Sequence, residues 1–77
     1  MAIYCAAQCG LCGDIVLAIS PTQPTSCSCS NISITGNVHS SATQYKKQEP
    51  KAFQVEIDPT PSSGVILKNS NLEYKQL

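Results

Sequence analysis

The fold class this chain predicts is a small, mainly-β domain stapled by a metal. Three observations lead there: a length of 77 residues, four cysteines arranged as two close pairs, and short β-branched runs separated by turn residues. A chain of this length makes one domain at most. Its apolar core is marginal against conformational entropy, so domains of this size usually carry a disulfide, a metal or a partner subunit. The aromatic residues are only Tyr4, Tyr45, Tyr74 and Phe53, with no Trp. The expected core is therefore thin and aliphatic, which increases the need for a staple.

Along the chain, Ile3 to Cys5 reads as a short lead-in strand and Cys9-Gly10-Leu11-Cys12-Gly13 as a tight turn. Asp14 to Ser20 is short and rich in β-branched residues, which favours a strand over a helix. Pro21 to Ser26 holds two prolines and no apolar residue, so it reads as a loop. Cys27 to Ser30 is a second turn. Asn31-Ile32-Ser33-Ile34-Thr35 alternates polar and apolar, as a half-buried strand does, and Gly36-Asn37 ends it. Val38 to Gln48 is polar and fits a strand, a short helix or a loop. Phe53, Val55 and Ile57 alternate strictly, a strong strand pattern. Pro59 to Gly64 is a long turn, and Val65-Ile66-Leu67 is expected to pair back on Phe53–Ile57. Asn69 to Leu77 fits a final strand or a helical tail. The organisation expected is one domain with a zinc ribbon over residues 1–37 and a β-rich, hairpin-like extension over residues 38–77.

Cys5, Cys9, Cys12, Cys27 and Cys29 all fall in the first 29 residues. Five is odd, so a framework made only of disulfides leaves one thiol over. The informative pattern is Cys9-x2-Cys12, fourteen residues, then Cys27-x-Cys29. A Cys-x2-Cys turn aims two thiolates at one centre. Gly13 permits a positive φ and leaves backbone amides free to bond the sulfurs. Fourteen residues suffice for a strand, a turn and a return, which brings the second pair beside the first. Four thiolates about a closed tetrahedral centre is the structural zinc arrangement. Disulfides, an iron–sulfur cluster and free thiols are the alternatives. The second pair is tighter than the usual spacing, so both its cysteines can ligate only if Ser28 turns outward. Cys5 reads as a small buried hydrophobe, with replacement of a ligand as the other option. Structural zinc contributes roughly 10–16 kcal/mol of apparent binding energy in small metallo-domains, so the N-terminal half is expected not to fold without metal.

The run Cys9-Gly10-Leu11-Cys12-Gly13-Asp14-Ile15, with Cys27-Ser28-Cys29 and Ile32-Ser33-Ile34, resembles a family of short four-cysteine proteins of unknown function from phages and bacteria. The resemblance covers residues 9–37. In that family an Asp-Gly-Gly-like turn and a Tyr with basic residues usually follow the strand; here Tyr45-Lys46-Lys47 comes later, after an insertion, and no Arg follows. The resemblance implies a zinc ribbon in a phage or bacterial cytoplasm, and no chemistry.

Composition narrows the function classes. Formal net charge is zero, with five Lys, five acidic residues and no Arg. That balance lacks the electrostatic footprint of a nucleic-acid binder. Lys46, Lys47 and Lys51 form the one basic cluster, read as a solvated edge. No stretch approaches the ~20 apolar residues of a membrane span, and no secretory leader is recognisable. Asn31-Ile32-Ser33 fits the glycosylation pattern, which matters only in a secreted eukaryotic protein. His39 stands alone in a polar stretch. The carboxylates Asp14, Glu49, Glu56, Asp58 and Glu73 are scattered, and no phosphate-cradling loop is present, so no catalytic residues are expected. The leading expectation is a non-enzymatic, cytoplasmic protein that inhibits or adapts a host or defence protein. The exposed edge of the Phe53–Ile57 strand, or of the ribbon strands, would pair with that partner or with a second copy in a homo-oligomer. The alternatives are an oligomer that sequesters a small signalling nucleotide and a nucleic-acid-binding ribbon.

Overall fold

The computed structural model describes residues 2–37, 40–58 and 63–77. His39 and most of the 59–64 turn lie outside the described residues. The described residues form eight strands and no helix: β1 Ala2–Gln8, β2 Ile15–Leu17, β3 Thr25–Ser26, β4 Ile32–Gly36, β5 Ser41–Tyr45, β6 Lys51–Ile57, β7 Val65–Ile66 and β8 Tyr74–Gln76.

They build two antiparallel sheets, a five-stranded one in the order β7-β2-β1-β6-β8 and a three-stranded one in the order β3-β4-β5. The first sheet is organised on β1, which pairs with β6 over its whole length from Ala2↔Ile57 to Gln8↔Lys51. β1 is longer than the expected Ile3–Cys5 because Ala6 and Ala7 continue it. These small residues are 2% and 0% exposed. They sit where both faces of the sheet are covered, and side-chain alternation puts them on opposite faces.

On one face Ala7, Val16 and Ala18 pack against Ile32 and Ile34 of the three-stranded sheet, with Cys9 and Cys27 in the same layer. On the other face Ala6, Ile15, Leu17, Val55, Ile57 and Ile66 form a second cluster, flanked by Tyr4, Phe53 and Leu72. β2 is buried on both faces, which is why its sequence is continuously apolar rather than alternating.

Three expectations are corrected. Val65–Ile66 does not pair with Phe53–Ile57. It pairs with β2, through Ile15↔Ile66 and Val16↔Val65, because β6 is flanked by β1 along its length and by β8 over Val55–Ile57. The C-terminal hairpin-like extension therefore does not form as expected; β6, β7 and β8 share a sheet with β1 and β2. For the same reason β6 is not a free edge. The outer strands are β7 and β8 in one sheet and β3 and β5 in the other.

The polar segment that admitted several readings holds β5, paired with β4 from Ile32↔Tyr45 to Gly36↔Ser41. The C-terminal tail holds a strand, β8, rather than a helix.

Candidate metal centre

The two cysteine pairs occupy the turns at the ends of two hairpins. Cys9 and Cys12 lie between β1 and β2, while Cys27 and Cys29 lie between β3 and β4. The turns close in related ways. In the first, Cys9 N–H donates to Asp14 O (2.9 Å) and Gly13 N–H to Cys9 O (3.0 Å). In the second, Cys27 N–H donates to Ile32 O (3.3 Å) and Ser30 N–H to Cys27 O (3.0 Å). In both, the residue directly after the second cysteine has a positive φ: Gly13 at 79° and Ser30 at 61°. Glycine adopts that conformation freely, whereas for serine it is strained.

The Sγ atoms of Cys9, Cys12, Cys27 and Cys29 all lie within 4.8 Å of one another. Cys29 Sγ is 3.5 Å from both Cys9 Sγ and Cys27 Sγ. A disulfide requires about 2.05 Å, and all five cysteines are free thiols. Four sulfurs about 2.3 Å from a tetrahedral ion stand about 3.8 Å apart, so the donor set fits a metal ion with little movement. Among the described residues no other group of three or more His, Cys, Asp or Glu comes together in this way. Cys5 stays outside the cluster, half-buried against the core layer that contains Ala7 and Cys9.

Burial is graded across the centre. The first cysteine of each pair is buried, Cys12 is half-buried and Cys29 is exposed. Cys9 Sγ receives N–H groups from Leu11 (3.3 Å), Cys12 (3.5 Å) and the Asn31 side chain (3.6 Å). Burial works to raise its pKa, but the Cys12 and Leu11 amides and the neighbouring thiols outweigh it and bring Cys9 down to about 6. Cys29 moves the other way, to about 12: the Asn31 backbone N–H lowers it, while desolvation and the thiols of Cys9, Cys27 and Cys12 raise it further. The thiolate is thus favoured at Cys9 and the thiol at Cys29. A bound dication would favour the thiolate form of the sulfurs that hold it.

Two side chains outside the ligand set lock the turns together. Asp14, 3% exposed, accepts Ser28 N–H (3.1 Å) and the Ser28 hydroxyl through Oδ2, and Lys68 N–H (3.1 Å) through Oδ1. Burial works to raise its pKa, yet these bonds and the Cys12 thiol hold the carboxyl below the usual carboxylate range. Ser28 is exposed, and its hydroxyl turns to Asp14 rather than into the sulfur cluster. Asn31, also 3% exposed, accepts Lys47 N–H (2.7 Å) and Gln48 N–H (3.1 Å) and donates to Gln48 O (2.9 Å) as well as to Cys9 Sγ. Its side-chain amide is enclosed and occupied, so this sequon offers no acceptor for a glycan in the folded chain.

Neither bracing role was evident from composition, where Asp14 is one of five scattered carboxylates. The signal is positional: Asp14 and Asn31 each stand two residues after the second cysteine of a pair.

The chain matches no protein-family model, no curated protein and no solved structure. What the fold and the site define is a small, mainly-β protein with four clustered cysteines able to hold a metal ion. Among the described residues no helix is long and apolar enough to cross a membrane.

Proposed function

We propose that the chain is a zinc ribbon whose metal is structural, and that it acts without catalysis by binding a protein partner. The observation that carries this reading is the closed sulfur set. Four thiolates complete a tetrahedral shell, and an all-sulfur tetrahedral site favours zinc or iron–sulfur chemistry over hard cations. Such a shell leaves no open position for substrate or activated water. The bound ion would supply the cross-link between the two hairpins that a thin core lacks.

Binding would use the free side of β5. The flanking bonds Lys46 N–H to Asn31 O and Asn37 N–H to Ser40 O set the phase of the β4–β5 ladder. By alternation, Ser33↔Gln44 and Thr35↔Ala42 are the pairs that exchange hydrogen bonds. Ser41, Thr43 and Tyr45 therefore turn their N–H and C=O groups away from β4, where an extended segment of a partner can add as a further strand. Inhibition or adaptation of a bacterial host or defence protein is the specific form of this reading.

Thr43→Pro tests it, because proline at an outward-facing edge position removes only the outward donor. A partner retained by the zinc-loaded wild-type chain should be lost by this folded variant. Retention undiminished by Thr43→Pro would contradict binding at this edge.

A further inference from the structure

Exposure divides the four clustered sulfurs unequally. Cys9 and Cys27 are buried, Cys12 is half-buried, and Cys29 alone of the four is exposed. Ligation of a dication holds cysteines as thiolates, the form that reacts with oxidants. In the loaded site access therefore decides which sulfur an oxidant meets first, and that sulfur is Cys29.

Cys29 Sγ has two neighbours at 3.5 Å, Cys9 Sγ from the other hairpin and Cys27 Sγ from its own turn. They are not equivalent as disulfide partners. A Cys27–Cys29 bond closes a ring over one residue, Ser28, whose N–H and hydroxyl are both held by Asp14, in a turn closed by Ser30 N–H to Cys27 O (3.0 Å). A disulfide needs a dihedral angle of about 90° about its S–S bond, which so small a ring meets only by distorting that turn. Cys9 stands 20 positions from Cys29, on the β1–β2 turn, so a bond between them closes no small ring.

We propose that Cys29 is an oxidation site for hydrogen peroxide and that Cys9 resolves it, so that a Cys9–Cys29 disulfide takes the place of the metal as the link between the hairpins. The Cys29 thiolate attacks one peroxide oxygen; the O–O bond breaks, a sulfenic acid forms and hydroxide leaves. The sulfur loses two electrons, which reduce the peroxide. The Cys9 thiolate then attacks Cys29 Sγ; an S–S bond forms, the S–O bond breaks and a second hydroxide leaves. Two protons from solvent turn both hydroxides into water. Cys12 and Cys27 remain as two donors, too few for a closed tetrahedral shell. A dithiol reverses the exchange by attacking the exposed Cys29 sulfur and freeing Cys9. The proposal rests on the four-sulfur metal reading and adds a response of that site to oxidant.

The test treats the zinc-loaded full chain with increasing hydrogen peroxide, reads released zinc with a chromophoric chelator, and locates disulfides by peptide mass spectrometry after free thiols are blocked. The expected result is loss of about one zinc per chain in step with one disulfide, Cys9–Cys29, while Cys5, Cys12 and Cys27 are recovered as blocked thiols. Dithiol and zinc together should restore the starting state. The oxidised chain should unfold at higher urea than the reduced, chelator-stripped chain, because the bond joins the same two turns. Cys5→Ala should leave the zinc release and the disulfide position unchanged. A chain without zinc before oxidant is added would overturn the metal reading and this proposal with it. In a zinc-loaded chain, a disulfide between any other pair, Cys29 driven to sulfinic acid with no disulfide, or equal urea midpoints would overturn this proposal alone.

Discussion

The Asp14 carboxylate accepts both the backbone N–H and the hydroxyl of Ser28, the residue between the two cysteines of the second pair. Asn31 reaches the opposite way, from the second turn to Cys9 Sγ in the first. Each hairpin end thus reaches into the other through a buried side chain two residues beyond its own second cysteine. Partners of this kind orient metal ligands and contribute to metal affinity. They also reach beyond the two turns, since Asp14 holds Lys68 N–H and the Asn31 side chain holds Lys47 and Gln48.

Replacing Asp14 by Ala removes the acceptor of three donors, two of them on Ser28. We expect a loss of about 3 kcal/mol, the scale of a charged hydrogen-bond network whose partners are left unpaired. Asp14→Asn keeps one acceptor oxygen and should lose less. Urea unfolding of the zinc-loaded variants checks the order wild type, Asn, Ala; equal stability of all three would remove Asp14 from its bracing role.

Asn31→Ala should act on both metal and fold. It takes one N–H from Cys9 Sγ and frees the backbone of Lys47 and Gln48. Metal affinity should fall about 10–100-fold, the usual effect of losing an outer partner. Competition with a chromophoric chelator reads this directly, and an unchanged affinity would mean that the contact to Cys9 is incidental.

Ser30→Gly separates strain from function. The left-handed conformation costs a non-glycine residue about 1–2 kcal/mol, against about 0.5–1 kcal/mol for the added freedom of unfolded glycine. The net expectation is a gain of about 0.5–1 kcal/mol in denaturant unfolding. A loss of stability would show that the Ser30 side chain supports the turn.

Val55→Lys is expected to unfold the chain rather than dissociate an oligomer. Val55 is 0% exposed and packs within the cluster of Ala6, Leu17 and Ile57, on a strand flanked on both sides. An unpaired ammonium there costs several kcal/mol, comparable with the whole stability of a domain this small. Circular dichroism with light scattering distinguishes the outcomes; a folded chain of reduced mass would contradict the intrachain position of this face.

Much of this was legible from residue pattern. The cysteine spacing pointed to the four residues that the fold brings together, because two turns joined by a strand, a loop and a return have few other ways to meet. The alternation at Ile32–Ile34 and Phe53–Ile57 marked β4 and β6, strands with one buried face. The rest left weaker traces. β1 is central, yet its Ala6-Ala7 step has little strand preference and is fixed by packing on both sides. β5 carries no apolar alternation, being an outer strand held by its ladder to β4. The pairing of Val65–Ile66 with β2 depends on which strands already flank β6, a matter of topology that no local pattern encodes.

The central claim is that Cys9, Cys12, Cys27 and Cys29 together hold one zinc ion. Its most direct test is elemental analysis joined to zinc-edge X-ray absorption on protein purified under reducing conditions. The account predicts about one zinc per chain, surrounded by four sulfurs at about 2.3 Å. A metal-free chain with these cysteines joined in disulfides, or a zinc shell of fewer than four sulfurs, would contradict it.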